Sequence, residues 1–132
     1  MPAAVALETL KIYEERDTVA MVRRVAPRLQ AAIRSYQDHP LVGDARGIGL
    51  IGAVELVRDK ATKQAFDAKA AVGAFLVRRA QHHGAILRNM PGDIVAFSPP
   101  LVISEAEIDE LMGCFAKALD DTWAMVREKG LV

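Results

Sequence analysis

Four stretches of this chain carry residues suited to helices, and three shorter apolar runs lie between them. Residues 3–16, AAVALETLKIYEER, hold strong helix formers and neither glycine nor proline. From residue 18 onward, Val19, Val22, Val25, Leu29, Ile33 and Tyr36 recur every three or four positions and line one face of a second helix. Asp17 or Thr18 supplies its cap, and Pro27 removes a backbone donor inside it. This helix has to stop before Pro40, because the residue preceding a proline avoids helical geometry. The pattern then shortens. RGIGLIGAVELV, residues 46–57, reads as one strand interrupted by Glu55, and 59–66 as a polar loop. Helical spacing returns over 68–83, with Val72, Phe75, Leu76 and Ala80 on one side and Gly84 as a stop. Two short strands follow, at 85–88 and 93–97, joined by the Pro91-Gly92 turn. Ser104 and Glu107, three apart, form a capping box for a last helix with Ile108, Leu111, Phe115, Leu119 and Val126 turned inward.

That order predicts an α+β fold, a small and mainly antiparallel sheet with helices packed on one face. Length supports a single core: 132 residues are enough for one domain. A hydrophobic content of 52% argues against disorder, and an aromatic share of 5% makes the core aliphatic. Lys plus Arg equals Asp plus Glu, so a net charge of +0 gives no electrostatic case for nucleic acid or an anionic membrane. The pairs Arg23-Arg24 and Arg78-Arg79 lie on expected helices and read as solvated faces. No run approaches the ~20 apolar residues of a spanning helix. Glu8, Lys11 and Glu14 stand where an export signal would have its apolar region. Cys114 has no second cysteine to pair with and reads as a small core residue, so the expected compartment is the cytoplasm.

Chemistry-bearing patterns are few. Gly47-Ile48-Gly49-Leu50-Ile51-Gly52 has the G-x-G-x-x-G spacing, but pyrophosphate binding needs that loop to open a helix, and here strand-like sequence follows. The glycines are expected instead to admit a close backbone approach or a bulge. His82 and His83 are adjacent and His39 is distant, so no metal-ligand spacing arises and no metal site is expected. Cys114 lacks a recognisable orienting partner for nucleophilic work, and no phosphate-binding G-x-x-x-x-G-K-[ST] is present. Arg88 remains. It ends an apolar run beside the Pro91-Gly92 turn, and its planar fork suits a carboxylate. From the residues alone, an ordinary surface arginine at a strand end is the favoured reading.

Three segments, in this order, resemble class III pyridoxal-phosphate aminotransferases: AAVALETLKIYEERD, HPLVGDARGIGLIGAVELV and HGAILRNMPGDIVAFSPPLVISEAEIDEL. The first is similar to the family's helix leading out of the large domain, and the other two to its C-terminal small domain. The resemblance therefore implies that 1–17 is the exit helix and 18–132 the small domain. Ornithine- and aminobutyrate-type members carry an arginine where this chain has Ala96. The arginine at Arg88 instead resembles the amine– or ω-amino acid–pyruvate branch, where a mobile arginine meets the acceptor's carboxylate. Arg88 is the one substrate-binding residue the resemblance implies.

In the family the Schiff-base lysine, the aspartate at the pyridine nitrogen and the phosphate cup lie in the large domain, upstream of this segment. Lys11, Lys60, Lys63, Lys69, Lys117 and Lys129 sit among polar neighbours, and none is assigned to catalysis. The expected protein is thus a C-terminal fragment of an aminotransferase. Its cofactor and its amine and keto acid substrates belong to the parent, and pyridoxal phosphate is not expected on this chain. It is expected to be inactive alone and to self-associate through the first helix, the family being homodimeric. A stand-alone, non-catalytic module of the same fold, binding a small carboxylate or another protein, is the alternative.

Overall fold

A computed structural model describes residues 2–132. Its core begins with α2 (Thr18–Arg34), which buries Val25, Leu29 and Ile33 as the apolar spacing demands. Val19 departs from that expectation: it lies in the first turn of the helix and is 60% exposed. Asp17 is the cap, in left-handed backbone (φ 45°), with its side chain accepting from the Ala20 N–H. Before it runs α1 (Pro2–Glu15), exposed along almost its whole length. After α2, a short 3₁₀ turn (Ser35–Asp38) ends ahead of Pro40.

The expected single strand over 46–57 is in fact a hairpin. β1 (Val42–Ile48) and β2 (Ile51–Leu56) run antiparallel, with Ile48 opposite Ile51 and only Gly49-Leu50 between them. An unbroken β-compatible run hid the turn. Gly49 at φ +58° supplies the positive backbone angle that a two-residue hairpin loop requires at its first position. The G-x-G-x-x-G spacing therefore straddles a β-turn and opens no helix.

The expected helix over 68–83 is shorter at its start: α3 (Val72–His82) follows a separate 3₁₀ turn (Ala68–Ala70). β3 (Arg88–Met90) and β4 (Ile94–Phe97) form the second hairpin, and α4 (Glu105–Glu128) closes the chain. The strands stand in the order β1-β2-β4-β3 and every neighbour pair is antiparallel. The expected α+β architecture is the one observed.

Helices cover one face of the sheet. Val54, Val95 and Phe97 point into the core with Leu29, Ile33, Leu76, Ile108, Phe115 and Leu119, all 1% exposed or less. Phe115 of α4 meets Phe97 and Tyr36 edge-on, with ring centroids 5.0 and 4.9 Å apart. The Tyr36 hydroxyl donates to the Met112 carbonyl at 3.1 Å. α3 and α4 are clipped together where Arg79 and His83 both reach Asp121, at 2.8 and 2.7 Å. The opposite face of the sheet stays open. Ile48 and Ile51 are 82% and 65% exposed there, and Arg46 pairs with Asp44 and Glu55.

Candidate functional site

Where the second hairpin meets the start of α4, the surface folds into a cleft of about 550 Å³. Its walls are 84–88, 96–100 and one side of α4, where Glu107, Glu110, Leu111 and Cys114 follow one another at helical spacing. The backbone there is held by local chemistry. Gly84 at φ +107° ends α3, and the Ala85 N–H returns to the Ala80 carbonyl at 2.8 Å. Ala85 and Leu87 then bury their side chains, which turns Ile86 and Arg88 outward. Prolines 99 and 100 close the other hairpin arm before the capping box of α4.

Arg88 lies at this cleft, but it opens β3 instead of ending a strand at 85–88. Residues 85–87 have no ladder pairing, so apolar content alone did not mark the strand's true start. The Arg88 side chain makes no hydrogen bond or ion pair among the described residues. Its cross-strand partner is Ala96. The two positions that the resemblance contrasts thus face each other on one side of the sheet, and an arginine at either would project over the same surface. Arg46 occupies the matching row at the far edge, through Ala53, but Asp44 and Glu55 hold it at 2.6 and 2.9 Å. Of the two, only Arg88 keeps an uncompensated guanidinium.

Two carboxylates line the cleft. Glu107 accepts from the Ser104 N–H at 2.8 Å and its hydroxyl at 2.7 Å. The backbone bond first, then the hydroxyl, holds its carboxyl below the usual range. The Glu110 carboxylate makes no hydrogen bond or ion pair among the described residues. Sequence reading passed over it, because an exposed polar position on an amphipathic helix carries no signal until the opposite wall is known. Cys114, expected as a core residue, is buried and donates to the His83 carbonyl at 2.9 Å. It also lines the cleft floor. His83 turns to Asp121 and His82 is exposed, yet the two rings meet edge-on with centroids 5.4 Å apart instead of pointing away from each other. Among the described residues, no group of His, Cys, Asp or Glu is placed to hold a metal ion.

Gln30 is a second residue the sequence did not single out. Its amide donates to the carbonyls of Gly49 and Ile51, at 2.9 and 3.0 Å, and pins the first hairpin's turn to α2.

The comparisons with known proteins agree with this fold. The class-III aminotransferase family model matches residues 1–119. The chain is 43% identical over 125 residues to a putrescine–pyruvate aminotransferase of Pseudomonas aeruginosa, covering 94% of this chain and 27% of that protein. It is 40% identical over 125 residues to chloroplastic gamma aminobutyrate transaminase 3 of Solanum lycopersicum, covering 95% of this chain and 24% of that protein. Among solved structures, an omega transaminase from Pseudomonas jessenii in complex with PMP superposes with a TM-score of 0.86 at 46% identity. That match covers 93% of this chain and 27% of the other. The chain spans about a quarter of the length of the curated relatives it matches.

The residues present do not fit pyridoxal phosphate. Its covalent anchor would have to be a sheltered, desolvated lysine. Lys11, Lys60, Lys63, Lys69, Lys117 and Lys129 are all exposed, Lys60 being tied to the Gln37 and His39 carbonyls and Lys11 to Glu8.

Proposed function

The chain belongs to the class III aminotransferases, and from that premise we propose that it is the C-terminal part of such an enzyme, inactive by itself. In this reading 1–17 leads out of a large domain and 18–132 is the small domain. The parent uses pyridoxal phosphate, which supplies the electron sink for amino transfer when bound. The parent moves an amino group from an amine or ω-amino acid to pyruvate or another keto acid. It works as a homodimer in the cytoplasm.

Arg88 carries the specific part of the proposal. It supplies a bidentate, always charged donor set at the mouth of a cleft, with small Ala96 opposite and no internal carboxylate competing for it. A sheltered charge-assisted bond of this kind contributes about 1.5–3 kcal/mol. In the open cleft of this chain water competes, and binding is correspondingly weak. The pyruvate side of the reading is supported by the similarity to the putrescine–pyruvate aminotransferase of Pseudomonas aeruginosa and by the place of the arginine.

Titration of the chain with pyruvate, followed by calorimetry or amide chemical shifts, tests this. Saturable binding that Arg88→Ala abolishes is expected, and binding unchanged in Arg88→Ala overturns the role given to Arg88. A transamination assay with added pyridoxal phosphate is expected to show no turnover, and measurable turnover would overturn the fragment reading.

A further inference from the structure

β3 is an edge strand of three exposed residues, and it pairs with β4 alone. A ladder this short does not fix a strand by itself. Its second anchor is the first turn of α3. Arg88 and Met90 stand opposite Ala96 and Ile94, so Asn89 between them turns to the other face, opposite the buried Val95. There it lies against Gly73: a Cβ on Gly73 would overlap Asn89 Oδ1 and come within 2.9 Å of the Asp93 Cα. Asp93, which ends the turn, is held twice. Its Oδ1 accepts from the Gly73 N–H at 2.8 Å, and its carbonyl accepts from the Leu56 N–H of β2 at 3.2 Å. Gly92 and Asp93 both have positive φ, 81° and 53°. A residue other than glycine persists in such backbone only where its surroundings over-determine it, and here α3 and β2 do so.

We propose that Asp93 is a positioning residue for Arg88, acting by seating the edge strand on α3 at Gly73. This deepens the carboxylate reading of Arg88 and rests on it. Asp93 touches no substrate. It stands at the turn, and Arg88 is the β3 residue furthest from that turn. The Arg88 side chain has no partner among the described residues, so the backbone of β3 sets where its guanidinium can reach. Two parallel bonds to a carboxylate demand a fixed approach, and a site carried on a loose strand loses it. The seat works in both directions. α3 receives the acceptor that its N-cap Ala71 lacks, and the hairpin receives a rigid helix to rest on. Helix start and strand are therefore ordered together, and Arg88 is competent only while the seat is made.

Amide relaxation of the isotope-labelled chain, together with titration by pyruvate, tests the proposal at a temperature where circular dichroism shows every variant folded. Asp93→Ala is expected to loosen the amides of 88–90 and to weaken pyruvate about threefold to tenfold, since apparent affinity scales with the seated fraction. Asp93→Asn keeps the acceptor and tolerates left-handed backbone, and is expected to restore both. Gly73→Ala keeps the carboxylate but displaces Asn89 and Asp93, and is expected to loosen the same three amides. Gly49→Ala strains the turn of the other hairpin, at the opposite side of the sheet, and is expected to change neither readout. A merely structural Asp93 lowers stability without moving the affinity of the folded chain, so unchanged pyruvate binding in Asp93→Ala overturns the proposal. Amides of 88–90 as ordered in Asp93→Ala as in the unsubstituted chain overturn it too, as does an equal effect of Gly49→Ala. Each of those failures leaves the loss in Arg88→Ala intact. Pyruvate binding that is absent from the unsubstituted chain, or indifferent to Arg88→Ala, overturns the Arg88 reading itself and the positioning role with it.

Discussion

Gly47 and Gly49 are two residues apart, yet they resist substitution for different reasons. A Cβ on Gly47 would come within 2.5 Å of the Ile51 carbonyl oxygen and 2.8 Å of the Gly52 Cα, both backbone atoms that cannot step aside. A Cβ on Gly49 would meet nothing within 4 Å, so only its positive φ resists an alanine. Gly47→Ala is therefore expected to destabilise by about 1–3 kcal/mol through overpacking. Gly49→Ala should cost about 1–2 kcal/mol from left-handed strain. Urea unfolding of the two variants measures both. A larger loss at Gly49 than at Gly47 would mean that the strand pair relaxes more easily than the turn. The glycine spacing was visible in the sequence, and its exclusion from phosphate binding followed from what came after it. That Gly47 faces a neighbouring backbone depended on the register Gly47–Gly52, which no local pattern encodes.

Among the elements, α3 shows how a helix borrows its cap. Its N-cap residue, Ala71, has no side chain able to accept, and the acceptor comes from the second hairpin: Asp93 Oδ1 takes the Gly73 N–H at 2.8 Å. Asp93 pays for this with a left-handed backbone, φ 53°, which Asn tolerates as well. Asp93→Ala is expected to lower stability by about 1–2 kcal/mol, as lost caps do. Asp93→Asn should retain most of it, and thermal unfolding distinguishes them.

The α3–α4 clip adds a pH dependence. The hydrogen bond from His83, then that from Arg79, holds the Asp121 carboxyl below its usual range. A carboxyl with a depressed folded-state value stabilises the fold fully above its unfolded value. That contribution is lost as pH falls through the folded value. Asp121 lies near the surface, so the contribution is about 0.5–1 kcal/mol. In Asp121→Asn the stability difference from the parent chain is expected to shrink as pH is lowered from 7 toward 3, as measured by denaturant titration at each pH. The capping box at Ser104 was legible because both partners lie three residues apart. Asp93 and Asp121 were not, because their partners are 20 and 42 positions away.

For the whole molecule, much of the exposed apolar surface lies in three places. α1 presents Val5, Leu7, Leu10, Ile12 and Tyr13, with Leu7 and Leu10 at 62% and 57% exposure. The open sheet face presents Ile48 and Ile51, and Ile86 stands at the cleft. Contiguous apolar surface of this kind marks an association site. Sedimentation velocity is expected to show concentration-dependent self-association, reduced by Leu7→Lys with Leu10→Lys. A monomer at every concentration would count against the reading of α1 as an exit helix. The sequence by itself determined the fold class, the helix faces, the capping box and the family resemblance. Each of these rests on residues close along the chain, where period, propensity and short motifs act directly. Only the tertiary structure decided that 46–57 belongs to a hairpin, that Arg88 faces Ala96, and that Glu110 shares its cleft. Those are distances between remote segments, set by strand register and by how α4 seats on the sheet. An aspartate or glutamate on a polar surface looks the same in sequence whether it meets water or the far wall of a cleft.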